Sequence, residues 1–82
     1  MLSVKEIEKI KKMYPTGTRI KLNYMNDYYA VPSGTCGTVD LVDEAGHIQM
    51  IWDNGSTLAL IVGEDKFEII EISKNEDINI DI

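Results

Sequence analysis

Near the start of the chain, apolar residues recur every three to four positions, at Val4, Ile7, Ile10 and Met13 or Tyr14. That spacing predicts one short amphipathic helix. Ser3 offers an N-cap oxygen, and Glu6 three residues later completes a capping box. Leu2 and Ile7 occupy the positions of a hydrophobic staple, and Lys11 and Lys12 suit the negative end of the helix dipole. Pro15 stops the helix by disfavouring the α conformation at Tyr14. So short a helix is marginal alone in water, and its stripe requires a surface to pack on.

After Pro15 the period changes to two. Residues 18–24 alternate, with Ile20, Leu22 and Tyr24 on one face and Arg19, Lys21 and Asn23 on the other. Residues 25–33 form the longest irregular connection. A second strand over 37–42 turns Val39 and Leu41 inward, and a third over 47–53 turns Ile48, Met50 and Trp52 inward. Residues 43–46 read as a hairpin loop, and Asn54-Gly55 as a type I′ turn. A fourth strand is expected over 56–62 with Leu58 and Leu60 inward, and a fifth over 67–72 after the turn at 63–65. Pro15-Thr16-Gly17-Thr18 and Pro32-Ser33-Gly34-Thr35 repeat one turn chemistry, each before a strand. The fold class expected is mainly β, a small five-stranded barrel preceded by one short N-terminal helix.

Length and charge narrow the reading. The 82 residues have room for one domain, assigned to 1–72, followed by an acidic tail over 73–82. In that tail Ile78, Ile80 and Ile82 alternate with Asn79 and Asp81, so it reads as a frayed end or as an extra edge strand. The strand reading carries with it homo-oligomerisation through the tail. The single cysteine, Cys36, can form no internal disulfide and fits a reducing compartment. No signal peptide and no membrane-spanning apolar run is read, so a cytoplasmic protein without membrane contact is expected. A net charge of −6 argues against broad nucleic-acid binding. Yet residues 1–21 hold six of the eight basic residues against Glu6 and Glu8, which allows a basic edge on an acidic body.

Three stretches carry a family resemblance: Tyr14-Pro15-Thr16-Gly17-Thr18-Arg19, Gly34-Thr35-Cys36-Gly37-Thr38-Val39 and Trp52-Asp53-Asn54-Gly55-Ser56-Thr57-Leu58. Over about residues 3–72 the chain resembles a domain of unknown function (family 4314) found in phages and mobile elements of Gram-positive bacteria. A Gly-Thr-x-Gly-x-Val strand followed by a Trp-Asp-x-Gly hairpin is also similar to SH3-like barrels. The resemblance implies an SH3-like fold, a bacterial host cell and a role in host takeover or counter-defence. It implies no activity.

Catalytic chemistry is thinly represented. Cys36 and His47 are the one candidate nucleophile and base pair, and the expected hairpin separates them, so the chain reads as a non-enzyme. One Cys and one His fall short of a zinc site, the acidic pairs Asp43-Glu44 and Glu64-Asp65 read as solvated turns, and no metal or cofactor is expected. Residues 34–37 lack the lysine and helix of a phosphate loop. Aromatic residues on the long connection are the better clue to binding. Tyr24, Tyr28 and Tyr29, with Arg19 and Lys21, form the expected binding face. Trp52, Asp53 and Ser56 are secondary candidates, with the core and the hairpin as their plainer roles. The function expected is a small binding module that docks a host or element protein. Sequestration of a nucleotide-like signalling molecule is the alternative, and a nucleic-acid adaptor ranks below it.

Overall fold

Ser3 accepts the Glu6 N–H, and Glu6 accepts the Ser3 N–H at 2.8 Å, so the capping box forms at the head of helix α1 (Val4–Met13). The computed structural model describes residues 2–72; the tail over 73–82, with its strand and oligomer readings, lies outside the described residues. Four strands follow the helix: β1 (Arg19–Tyr24), β2 (Cys36–Val42), β3 (Ile48–Trp52) and β4 (Lys66–Glu71). They form one antiparallel sheet in the order β3-β2-β1-β4. The fold is therefore mainly β, as the alternation predicts, but the sheet is open and four-stranded where a closed five-stranded barrel was expected.

The missing strand has a local cause. Over 56–62 only two isolated bridges remain, Ile48 with Leu60 and Val62 with Asp65. The backbone groups that a ladder would use are taken by side chains. Trp52 Nε1 donates to the Leu58 carbonyl at 2.8 Å, Ser56 Oγ accepts the Leu58 N–H at 3.2 Å, and Asp65 Oδ2 accepts the Ile61 N–H at 2.7 Å. The segment still buries Leu60 completely, so it closes one side of the core without extending the sheet.

One face of the sheet holds that core. Ile20 and Leu22 of β1, Val39 of β2, and Ile48, Met50 and Trp52 of β3 are all buried on it. Gly37 is required here for space: a Cβ at that position would stand 2.6 Å from the Trp52 ring, so only glycine lets the indole lie flat on β2. Two inward expectations fail at irregular points of the ladder. A shift in register between Val39 and Leu41 turns Leu41 outward and buries Val42, and another between Leu22 and Tyr24 leaves Tyr24 exposed. An extra residue reverses the facing of everything after it.

The turns carry more than reversal. The 53–55 loop is not type I′: Asn54 keeps a negative φ and only Gly55 is left-handed, at 92°. Trp52 N–H donates to Ser56 O and Gly55 N–H to Trp52 O, giving a three-residue loop. Residues 43–47 repeat the pattern, with Asp43 N–H donating to His47 O and Gly46 N–H to Asp43 O. The two Pro-x-Gly-Thr turns are equivalent as well. Gly17 N–H donates to Val39 O and Val39 N–H returns a bond to Thr18 O; Gly34 N–H donates to Leu22 O and Leu22 N–H returns one to Thr35 O. Each turn thus clasps the strand that follows the other.

Helix α1 packs at the end of the sheet where the 43–46 loop lies. Ile10 is buried, with Leu2 and Ile7 half-buried around Gly46, and Lys11 pairs with Glu44 at 3.2 Å. Val4, expected on the packed stripe, is 73% exposed. Beyond the helix, the Tyr14 ring meets Phe67 of β4 with centroids 5.6 Å apart, and burial raises the Tyr14 phenol pKa. Among the described residues no helix is long and apolar enough to cross a membrane.

Candidate functional site

The connection over 25–33 is held from below. Met25 and Val31 are buried at its two ends, and the Val31 N–H points at Met25 Sδ at 3.5 Å. Asp65 reaches in from the turn before β4 and accepts the Asn26 N–H at 2.8 Å. Within the loop, Asp27 Oδ1 accepts the Tyr29 N–H at 2.8 Å and Asp27 O accepts the Ala30 N–H at 3.2 Å. The segment between these anchors carries Tyr28 and Tyr29, 91% and 78% exposed. Their rings meet edge to face, with centroids 4.9 Å apart and planes at 89°. An edge-to-face pair is a favoured aromatic geometry, so each ring limits the freedom of the other.

The other expected members of this face are dispersed. Tyr24 is exposed at the end of β1, opposite Lys66. Lys21 lies exposed between Cys36 and Glu68 on the face of the sheet away from the core. Arg19 starts at the far end of β1, five residues from Tyr24 and so roughly 17 Å along the strand. Its guanidinium is already engaged: Nη1 donates to Asp53 Oδ1 at 2.9 Å and to Thr38 Oγ1 at 2.9 Å, and Nη2 to Asp53 Oδ2 at 2.7 Å. The hydrogen bond from Arg19 holds the Asp53 carboxyl below its ordinary range, and Asp53 in turn raises the Arg19 pKa.

The secondary candidates have internal duties. Trp52 is buried and its indole N–H is spent on Leu58. Asp53 braces Arg19, and Ser56 serves the backbone of the 53–58 segment. Cys36 opens β2 beside Asp53, whereas His47 precedes β3 at the opposite end of the sheet. Among the described residues no cluster of three or more His, Cys, Asp or Glu side chains is placed to hold a metal ion.

Two acidic residues read from the sequence as solvated turn members do structural work. Asp65 is buried, and its two oxygens accept Asn26 N–H and Ile61 N–H. Asp43 Oδ1 accepts the Ala45 and His47 N–H groups, and Oδ2 accepts Gln49 Nε2 at 2.8 Å. Partial burial opposes the charge on Asp43, but the bonds from His47, Gln49 and Ala45 outweigh it and lower the pKa. In Glu64-Asp65 the one sign in the sequence of which acid turns inward is side-chain length. The shorter aspartate is the one suited to bonding backbone a few residues away. The bond from Asn26 to Asp65 sets the 63–65 turn at the tyrosine end of the molecule.

A family model described as a domain of unknown function (DUF4314) matches residues 3–70. Neither the curated proteins nor the solved structures give a match.

Proposed function

The chain belongs to the DUF4314 family, and we propose that it is a non-catalytic binding module that docks a protein partner on its tyrosine loop. One observation carries this reading: Tyr28 and Tyr29 are largely exposed on a backbone anchored by buried Met25, Val31 and Asp65. Exposed aromatics are ordinary on a mobile loop. A pair presented by an anchored loop offers large contact area with little ordering entropy left to lose on binding, which is how aromatic anchors act at interfaces. In the phage or mobile-element setting that the resemblance implies, the partner is a host or element protein.

The two other readings have less support. Sequestering a nucleotide calls for a concave site with several free polar groups converging on it. Around the tyrosines, Asp27 and Asp65 are already committed to the backbone of the loop. A nucleic-acid adaptor would combine stacking aromatics with a basic surface. Arg19 is engaged by Asp53, and the lysines of α1 belong to the helix, which packs at the other end of the sheet.

The test uses the tagged full chain and a Tyr28→Ala/Tyr29→Ala variant in cells of the bacterial host. Proteins retained by the parent are identified, purified and titrated against both. Loss of about 2 kcal/mol or more for the pair is expected, a weakening of at least about 30-fold. Equal affinity for parent and folded variant would remove the tyrosine loop from the interface.

A further inference from the structure

The exposed tyrosines stand in an acidic setting. The 25–33 connection and the 63–65 turn, joined by the bond from Asn26 to Asp65, hold Asp27, Glu64 and Asp65 and no lysine or arginine. Asp65 is buried as the clamp, which leaves Asp27 and Glu64 exposed. The cations of the adjoining strands face other groups: Lys21 stands across from Glu68, and Lys66 across from Tyr24. The lysines of α1 lie with the helix at the other end of the sheet, and Arg19 is held by Asp53.

Two details of the loop point to a cation as what it receives. The Tyr28 and Tyr29 rings stand at 89° with centroids 4.9 Å apart, so they form a right-angled corner on the exposed side of the loop. A positive charge resting in that corner lies within about 6 Å of both ring centres, the range in which the negative face of an aromatic ring attracts it. Asp27 spends Oδ1 on the Tyr29 N–H, which fixes its carboxylate at the foot of that residue, and Oδ2 takes no bond within the described residues.

We propose that the corner receives an arginine of the partner protein, its guanidinium laid on the tyrosine rings and paired with Asp27. This rests on the docking reading above and adds the chemistry of the partner. Arginine suits the place better than lysine, because the planar guanidinium stacks on a ring and still presents N–H groups to a carboxylate. An apolar anchor would strip water from Asp27 and Glu64 with nothing to pair them. An acidic segment would meet repulsion from both.

The test titrates the full chain with blocked pentapeptides Gly-Gly-X-Gly-Gly, X being arginine, lysine or glutamate, and follows amide and tyrosine ring signals by NMR. The arginine peptide should shift Asp27, Tyr28 and Tyr29, with the lysine peptide weaker and the glutamate peptide inert. Removing one ring, by Tyr28→Ala or Tyr29→Ala, should weaken the arginine peptide about two- to fivefold. Asp27→Asn keeps an acceptor for the Tyr29 N–H and removes the charge, and should also weaken it about two- to fivefold. Salt at about 1 M should erase the difference between Asp27→Asn and the parent. Arginine shifts spread evenly over the exposed acids, with the tyrosine rings unmoved, would overturn the proposal. A lysine peptide that binds as tightly would overturn the choice of arginine. The protein captured through the loop separates this inference from the reading beneath it. A partner weakened by Tyr28→Ala/Tyr29→Ala but indifferent to Asp27→Asn and to salt overturns the arginine and leaves the docking. A partner indifferent to the tyrosines overturns both.

Discussion

The two ends of the sheet solve opposite problems with similar materials. At the helix end, apolar side chains are brought in: Ile10, Ile7 and Leu2 gather around Gly46, and the polar groups of the 43–47 turn are satisfied by Asp43. At the tyrosine end, apolar side chains are held out. Met25, Val31 and the Asp65 carboxylate are buried beneath a loop whose two largest residues face solvent. Each end uses an aspartate as a backbone clamp, but the first clamp supports burial and the second supports exposure. An exposed aromatic is informative when the chain around it is anchored at this cost.

The strongest way to break the contrast is Asp65→Ala. It leaves the Asn26 and Ile61 N–H groups without their acceptor, at about 1–3 kcal/mol each. Urea unfolding should register a loss of about 2–6 kcal/mol, with the Asn26 and Ile61 amides showing the largest local rise in exchange. Next comes Ile10→Asp at the helix end, which buries an unpaired charge and should cost about 2–4 kcal/mol. A variant that melts like the parent would mean that the helix is not part of the fold's stability.

Acid should discriminate more finely. Asp43 and Asp53 have folded pKa values below their ordinary 3.8. Their contribution is therefore complete above that value and is lost as pH falls through the depressed values. Stability should be level near neutrality and decline below about pH 4, and Asp43→Asn should flatten that decline. The smallest effect is expected for the Tyr28→Ala/Tyr29→Ala variant, whose melting temperature should stay within a few degrees of the parent's, about what surface changes allow. A large fall would show that the aromatic pair is part of the loop's own packing.

Local chemistry was the legible part of this molecule. The capping box, the repeated Pro-x-Gly-Thr turns, and the inward faces of β1 and β3 follow from spacing alone, save at Tyr24. What spacing could not supply was competition for backbone groups. Residues 56–62 alternate as a strand should, yet Trp52, Ser56 and Asp65 take the groups a ladder needs. Leu41 and Tyr24 depart from the alternation because one extra residue in a ladder leaves no mark on composition. The exposure of Tyr28 and Tyr29 follows from their place on a long connection, whereas nothing in the order of residues announces that Arg19 pairs with Asp53.

The mutual clasp of the two Pro-x-Gly-Thr turns has a consequence for how the chain finds its fold. Strands β1 and β2 are separated by an 11-residue connection, long enough to tolerate sliding of one past the other. Any slip by one residue would undo the bonds of both turns at once, Gly17 and Val39 at one end and Gly34 and Leu22 at the other. Wrong alignments thus gain little by being nearly right. The two turns thus fix the β1–β2 alignment on which β3 and β4 are laid in the folded sheet.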